Sequence, residues 1–314
     1  MGKILIVGSF MMDLVAKTPR APIEGETIKG ISFSQFTGGK GANQAVAVAK
    51  LGGDVVMLGK LGKDSFAEAH IDSLKEYGVD HMHVMKDNDE STGVGFITLE
   101  DNGRNRIIII PGANLKLTPS DIEAHEELIK ECSTLILQLE IPLESIYKSI
   151  DLAYKYNKTI IFNPAPYMGF DKSYLSKLTY IVLNEVEAKD CTAIEIIDKN
   201  NAKKAAEKLL DMGCKNVLIT MGEKGVYFLN REEEHFVESL KVQAVDTTAA
   251  GDEFIGSFAY GLDRKWSIYH AIKFANVSAA LSVTKMGSQP SLPYFHEVKK
   301  YIEDNVYELK ELVK

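Results

Sequence analysis

Tyr180-Ile181-Val182-Leu183-Asn184-Glu185-Val186-Glu187 reads as a buried strand that hands the chain to a helix. Residues 180–183 are apolar without interruption, which is the pattern of a parallel strand covered on both faces and too short a run for a buried helix. Asn184 and Glu187 follow at i and i+3, a spacing that sets two side chains on one side of a helix start. The same grammar extends in both directions. Residues 3–8, 55–61, 134–139, 159–162 and 216–221 are further short strand-like runs, with amphipathic stretches between them. This alternation predicts an α/β fold: a doubly wound, mainly parallel sheet flanked by helices.

Two segments break the rhythm. Residues 26–37 alternate, with Ile28, Ile31, Phe33 and Phe36 among polar neighbours. Residues 94–99 and 106–110 flank Asp101-Asn102-Gly103, and Asn-Gly between apolar runs is a strong hairpin signal. Together they predict a small separate β-sheet, a lid. Elsewhere, Thr118 before Pro119 opens a helix expected to reach about residue 131. His81 and His83 alternate and are expected to share a solvated strand face. The last third reads as helices over about 252–262, 267–284 and 293–312. Phe295, Val298, Ile302, Val306, Leu309 and Val313 fall at helical spacing and form a core or interface stripe.

The 314 residues are read as one domain, 1–314, with 45% apolar and 25% charged residues, enough for a sizeable core. The net charge of −8 comes without a basic stripe, which argues against a nucleic-acid partner. Cys132, Cys191 and Cys214 are far apart and form no CxxC pair, so neither zinc nor a disulfide framework is expected. No apolar run is long enough to span a membrane, and no signal peptide is apparent at the N-terminus. A reduced, cytoplasmic location is expected.

The chemistry gathers at strand ends and helix starts. In Asp246-Thr-Thr-Ala-Ala-Gly-Asp252-Glu-Phe-Ile-Gly256, small residues run into an amphipathic helix. Small side chains at a helix start let unpaired N–H groups approach a ligand, and that end of a helix favours negative charge. Asp252 stands in the first turn, facing the same spot. A carboxylate beside an anion hole suits a base for a hydroxyl that attacks a phosphoryl group. Gly38-Gly39-Lys40-Gly41-Ala42-Asn43 forms a second glycine-rich turn into a helix. It matches neither G-x-x-x-x-G-K-[ST] nor G-x-G-x-x-G, yet Lys40 and Asn43 offer donors beside approachable backbone. Asp13, Glu140, Asn163, Asn184, Thr220 and Asp252 each follow an apolar strand or begin a helix, so a parallel sheet would line them along one edge. Asn184 and Glu187 either arrange water around Mg²⁺ or cap their helix.

Taken together, Gly38–Ala45, Asn184-Glu185-Val186-Glu187 and Asp246–Asp252 resemble the signatures of the ribokinase-like (PfkB) carbohydrate kinases. The resemblance runs from Ile4 to about residue 293. Gln138-Leu139-Glu140, Asn163-Pro164-Ala165-Pro166 and Gly287-Ser288-Gln289-Pro290-Ser291 resemble the pentose-kinase subgroup of ribokinases and deoxyribokinases. The resemblance implies ATP-dependent phosphorylation of a sugar's 5-hydroxyl. It makes Asp252 the base and the amides of Ala249, Ala250, Gly251 and Asp252 the anion hole. It places Asp13, Gly39, Lys40, Asn43 and Glu140 on the sugar. Asn184, Thr220, Gly222, Gly225 and Asn276 fall on the nucleotide side, with Glu187 reaching Mg²⁺ through water. Asp246, Thr248, Ser282, Lys285, Gly287 and Ser291 fall on a loop that holds K⁺ mainly through backbone carbonyls. It also implies lid segments near 13–37 and 91–111 that often pair across a homodimer.

One departure bears on substrate. In Gly8-Ser9-Phe10-Met11-Met12-Asp13, Met11 stands where ribokinases usually carry asparagine, and deoxyribokinases resemble this chain in carrying methionine. Methionine cannot donate to a hydroxyl, so the expected substrate tilts from D-ribose toward 2-deoxy-D-ribose. Two other classes were weighed against a sugar kinase. A catalytically silent sugar-binding protein would not need Asp252 and its turn, which are intact; a dehydrogenase would need G-x-G-x-x-G after the first strand, which Gly8-Ser9-Phe10-Met11 does not supply.

Overall fold

The computed structural model describes residues 2–314. β1 (Ile4–Val7) enters the core. β2 (Met11–Thr18) and β3 (Ser32–Gly38) leave it, and α1 (Lys40–Lys50), β4 (Val55–Leu61), α2 (Ser65–Tyr77) and β5 (Val84–Lys86) return to it. β6 (Gly93–Glu100) and β7 (Asn105–Ile110) form the hairpin, followed by α3 (Pro119–Ala124), α4 (Glu126–Glu131), β8 (Thr134–Gln138), α5 (Leu143–Lys155) and β9 (Thr159–Asn163). Next come β10 (Tyr180–Asn184), α6 (Glu185–Thr192), α7 (Lys199–Asp211), β11 (Asn216–Thr220), β12 (Val226–Leu229) and β13 (Glu234–Val237). The chain closes with α8 (Ala250–Asp263), α9 (Ile268–Ser282) and α10 (Phe295–Asn305).

Nine strands make one sheet in the order β13-β12-β11-β10-β9-β8-β1-β4-β5, parallel except at β12 and β13. Within it β1 pairs with β4 on one side and β8 on the other, with Ile4 opposite both Val55 and Thr134. From β1 the chain first winds outward to β4 and β5, then returns to lay β8 on the opposite flank. The strand order therefore reverses between β1 and β8, and a crevice opens at their carboxyl ends. The uninterrupted apolar runs are explained by burial on both faces. Leu5 and Val7 pack with Leu135, Leu137 and α5; Ile4 and Ile6 pack with Ile136, α1 and α8.

β3-β2-β6-β7 form the second, four-stranded sheet, as the two interrupting segments predict. Gly103, with φ of 81°, turns the β6–β7 hairpin. Edge strand β7 leaves Ile107, Ile108, Ile109 and Ile110 exposed, with Phe96 on adjoining β6 and Phe33 on the opposite edge strand β3 also uncovered. All three cysteines are buried free thiols. Among the described residues, no helix is long and apolar enough to cross a membrane.

Several local expectations give way. Asp13 does not sit at the end of a core strand; it lies inside β2, which begins at Met11, so the small sheet itself carries a site residue. The helix expected from Pro119 to about residue 131 breaks at His125 into α3 and α4, while Thr118 caps α3 reciprocally with Asp121 as its sequence suggests. His81 and His83 are not on a strand. They occupy the turn before β5 and are half-buried, with His83 edge-on to His125. The final helix stops at Asn305, yet Val298, Ile302, Val306, Leu309 and Val313 still pack into one apolar cluster. There the apolar stripe outlasts the helical hydrogen bonding.

Candidate active site

The start of α8 is open. Its N-cap, Ala249, holds a left-handed φ of 61°, and no side chain caps the helix. Alanine pays roughly 1–2 kcal/mol for that conformation, a strain that persists where surrounding structure demands it. The Ala250 amide reaches back to the Thr247 carbonyl at 3.3 Å. The next two residues, Gly251 and Asp252, line a cavity of about 210 Å³. A Cβ on Gly251 would meet nothing within 4 Å, so the space beside this turn is free. Lys40, Asn184, Glu187 and Thr220 line the same cavity from the other elements.

Asp252 is buried, and both carboxylate oxygens have partners. Asn43 Nδ2 donates to Oδ2 at 2.9 Å and Gln44 Nε2 to Oδ1 at 3.0 Å. Gln138, at the end of β8, donates to Gln44 Oε1 at 2.6 Å. A chain of amides thus fixes the rotamer of Asp252 and leaves its remaining lone pairs toward the cavity. Burial works against the charge of the Lys40 ammonium, but Asp252, Glu140 and Glu187 outweigh it and hold its pKa above the ordinary lysine value.

The other wall is built around the turn at Gly38–Gly41. Gly39 has φ of 89°, and a Cβ there would stand 2.6 Å from the Met11 nitrogen; one on Gly41 would stand 2.6 Å from the Ser9 nitrogen. Only glycine lets the start of α1 press against the crossing between β1 and β2. Glu140 is held at the switch point by the Ser9 hydroxyl and by the Lys40 amide at 3.0 Å. Asp13 accepts the Ser288 hydroxyl at 2.9 Å. Burial raises the Asp13 pKa to about 6, with the Ser288 hydrogen bond opposing and Glu140, Asp252 and Asp246 adding to the rise. Met11 is 4% exposed. Asn114 clamps its neighbour Phe10, accepting from the Phe10 amide at 2.9 Å and donating to the Phe10 carbonyl at 2.7 Å, and its Nδ2 lies 3.9 Å from Met11 Sδ.

Asn184 and Glu187 form the capping pair that was one of their two readings. The Glu187 amide donates to Asn184 Oδ1 at 2.8 Å, and the Glu187 carboxylate accepts from the Asn184 amide and Nδ2 at 2.9 Å each. Capping and a ligand role are compatible here, because Glu187 also lines the cavity and its carboxylate keeps lone pairs for water. Burial pushes its pKa up.

Of the residues expected on the nucleotide side, Asn184 and Thr220 reach the cavity, while Gly222 and Gly225 shape the turn after β11 with φ of 54° and 119°. Asn276 is buried away from the cavity and donates to the Glu238 carbonyl at 2.8 Å, holding the chain that leaves β13. Asp246, Thr248 and Gly287 do come together: Asp246 accepts from the Thr248 amide at 2.9 Å, the Thr248 hydroxyl at 2.6 Å and the Gly287 amide at 3.0 Å. Burial opposes this carboxylate, but those hydrogen bonds hold its pKa below the ordinary value. Ser282 and Ser291 spend their hydroxyls on Ala279 and Ser288 carbonyls, and the Lys285 ammonium pairs with Glu297 at 2.6 Å. The side chains of these three residues are thus engaged locally, and backbone carbonyls are what they would have to offer a cation. Among the described residues no three His, Cys, Asp or Glu side chains cluster as a metal site.

Sequence reasoning assigned no role to Ser9, Gln44, Gln138, Asn114 or Ser288. All but Asn114 stood inside quoted motifs, Gln44 and Gln138 next to residues that were given roles. The others act through contacts made by distant parts of the chain, such as Ser288 on Asp13, which no local pattern announces.

Residues 1–294 match the family model described as pfkB family carbohydrate kinase. The chain is 40% identical over 303 residues to a deoxyribokinase of Salmonella typhi, covering 96% of this chain and 99% of that protein. It is 36% identical over 300 residues to a ribokinase of Haemophilus influenzae, covering 96% and 98% of the two chains. Among solved structures, it superposes on a Thermotoga maritima ribokinase with a TM-score of 0.89 at 37% identity, over 96% of this chain and all of that one (100%). An Arabidopsis thaliana ribokinase complexed with ribose and ATP matches with a TM-score of 0.91 at 30% identity, covering 96% and 99%.

Proposed function

The chain belongs to the pfkB family of carbohydrate kinases, and within it we propose a pentose kinase that transfers the γ-phosphoryl group of ATP to the 5-hydroxyl of 2-deoxy-D-ribose, with D-ribose as the close competitor. The observation that carries the reading is the meeting of an uncapped helix start, a buried aspartate and a lysine in one cavity: Ala249–Asp252 and Lys40.

In this reading the sugar lies between Asp13, the Gly39 turn, Asn43 and Glu140. Prior hydrogen bonds aim those groups: Ser288 holds Asp13, Ser9 and the Lys40 amide hold Glu140. Asn43 Oδ1 is buried without a partner among the described residues, so a sugar hydroxyl would satisfy it. Asp252, fixed by Asn43 and Gln44, takes the proton of the attacking hydroxyl. The amides of Ala249, Gly251 and Asp252 meet the charge on the phosphoryl oxygens, with the Ala250 amide shared with the Thr247 carbonyl, and Lys40 adds a cation beside them. Phosphoryl transfer depends chiefly on such positioning and charge stabilisation.

The nucleotide lies along the strand ends at Asn184 and Thr220, with Gly222 and Gly225 shaping its edge and Asn276 acting from behind through the chain at Glu238 that it holds. Glu187 fits a water-mediated role toward Mg²⁺, since it is a buried carboxylate with free lone pairs; that ion would neutralise phosphate charge. The backbone of Asp246, Thr248, Ser282, Lys285, Gly287 and Ser291 suits K⁺, because Asp246 already ties the 246–248 turn to Gly287 and side chains leave the carbonyls as donors. The ion would shape the anion hole without touching substrate.

Met11 supports deoxyribose over ribose. Its buried thioether, braced beside Asn114, gives the sugar an apolar neighbour and no donor. The four-stranded sheet serves as lid, and its exposed β7 isoleucines support pairing with a second copy, since a bare apolar edge strand is otherwise an aggregation risk. The test of class is ATP turnover with and without pentose. Turnover that needs the sugar and is lost in Asp252→Asn supports a sugar kinase; fast sugar-independent hydrolysis, or an active Asp252→Asn, overturns it.

A further inference from the structure

Lys50 ends α1 far from the glycine turn, and nothing in the chemistry above uses it. It is 5% exposed, and its ammonium donates to the carbonyls of Gln289 and Leu292 at 2.8 and 2.9 Å. Two aromatic rings enclose it, Tyr77 at 4.4 Å and Tyr294 at 4.8 Å from their centroids. A lysine buried to this degree is rare unless its charge is needed where it sits.

The loop it holds is irregular, yet Ser288, Gln289, Ser291 and Leu292 are all 2% exposed or less. Buried irregular backbone must find partners for its carbonyls, and Lys50 supplies two of them. The same loop reaches the site in three directions. Ser288 donates to Asp13. Gln289 Oε1 accepts from Thr37 of β3 at 2.6 Å and from Ser73 of α2 at 2.7 Å. The Gly287 amide donates to Asp246, in the turn that leads to the anion hole. Toward the opposite end of α1, about 10 Å away at 1.5 Å per residue, Asn43 and Gln44 hold Asp252.

We propose that Lys50 is a positioning residue: it locks loop 287–292 to α1, so that one helix sets the placement of the sugar-binding Asp13 relative to the base Asp252. The inference rests on the sugar-kinase reading above. Helix α1 grips Asp252 directly at its start and Asp13 indirectly at its end, through Lys50, the loop and Ser288. Loss of the ammonium strips the Leu292 carbonyl of its donor and leaves the Gln289 carbonyl only the Leu292 amide at 3.3 Å; the loop is freed, and Ser288 then no longer aims Asp13. The nucleotide side, at Asn184 and Thr220, shares none of these contacts.

The test is steady-state kinetics and thermal melting of Lys50→Met, Lys50→Arg, Ser288→Ala and the Lys50→Met/Ser288→Ala double variant. Removing a hydrogen bond from a charged group is worth roughly tenfold or more. The expected result for Lys50→Met is therefore a rise of about tenfold in KM for 2-deoxyribose, with KM for ATP within about twofold of wild type. Lys50→Arg, which keeps the charge and the donors, recovers most of the sugar KM. The double variant is no worse than the weaker single one, because both break one chain of contacts. Should Lys50→Met fail to fold, Tyr294→Leu removes one ring from the ammonium and raises the sugar KM by about threefold. A melting temperature that falls while the sugar KM stays put, or KM values for sugar and ATP that rise together, overturns the proposal and leaves the kinase reading standing. Absence of sugar-dependent turnover in the wild type overturns that reading and this inference with it.

Discussion

On the wall proposed for the sugar, each of the three carboxylates already holds donors from its own chain: Ser9 and the Lys40 amide on Glu140, Ser288 on Asp13, Asn43 and Gln44 on Asp252. On the wall proposed for the phosphoryl group, the first turn of α8 carries no side-chain cap, its N-cap alanine is held in a left-handed conformation, and space lies open beside Gly251. The difference teaches a division of labour. A wall whose polar groups are fixed before the ligand arrives selects by shape and hydrogen-bond pattern. A wall of unpaired amides is indifferent to the rest of the molecule and stabilises charge wherever a phosphoryl group is presented. Changes on the first wall should alter which sugar binds and how tightly; changes on the second should alter how fast the phosphoryl group moves.

The largest effect belongs to Asp252, which touches both walls. Asp252→Asn keeps the shape and one of the two acceptors that Asn43 and Gln44 donate to, but it cannot take a proton, and kcat is expected to fall by ~10²–10⁴-fold. Sugar binding, measured by calorimetry, should stay within a few-fold. A variant that loses sugar affinity as steeply as rate would erase the contrast.

Asp13→Asn tests the sugar wall alone. Loss of the charged acceptor should raise the sugar KM by roughly 10- to 100-fold. The sign of its pH effect follows from burial. The folded protein holds the Asp13 proton up to about pH 6, against an ordinary value of 3.8. This group therefore favours the folded state most below the ordinary value, and that contribution is lost as pH rises through about 6. Wild-type kcat/KM for sugar should drop as pH falls below about 6, where Asp13 becomes neutral. Asp13→Asn should flatten that acid limb and raise the melting temperature at pH 8. An unchanged acid limb would assign it to another group.

The smallest effect is expected at the lid. Ile108→Glu on β7 should shift the protein toward monomer in light scattering while changing kcat by less than about threefold, since no β7 residue lines the cavity. A monomeric wild type would remove the second copy from the account.

Much of this architecture was legible in sequence, for a physical reason. A parallel sheet buried on both faces demands uninterrupted apolar runs, and each of the runs at residues 134–139, 159–162, 180–183 and 216–221 became a strand of the large sheet. Residues that close such runs must lie at one edge, so Asn163, Asn184, Thr220 and Glu140 could be placed together before any coordinates. The failures are equally specific. Met11–Thr18 mixes polar and apolar residues because it belongs to a half-exposed sheet, and its strand character shows only in its pairing with β3 and β6. The break at His125 and the early end of α10 depend on local hydrogen bonding that a stripe of apolar residues does not report. Ser288 and Lys50 depend on contacts across more than 200 residues, and no spacing rule reaches that far.

The most direct measurement is kcat/KM for 2-deoxy-D-ribose and D-ribose side by side, with ATP, Mg²⁺ and K⁺ present, for wild type and Met11→Asn. A missing or restored hydrogen bond at a buried hydroxyl is worth about tenfold in discrimination. The account predicts a wild type that prefers 2-deoxyribose and a Met11→Asn enzyme whose preference moves about tenfold toward ribose. A wild type equally good or better on ribose, with Met11→Asn leaving the ratio unchanged, would contradict it and make Met11 a packing residue.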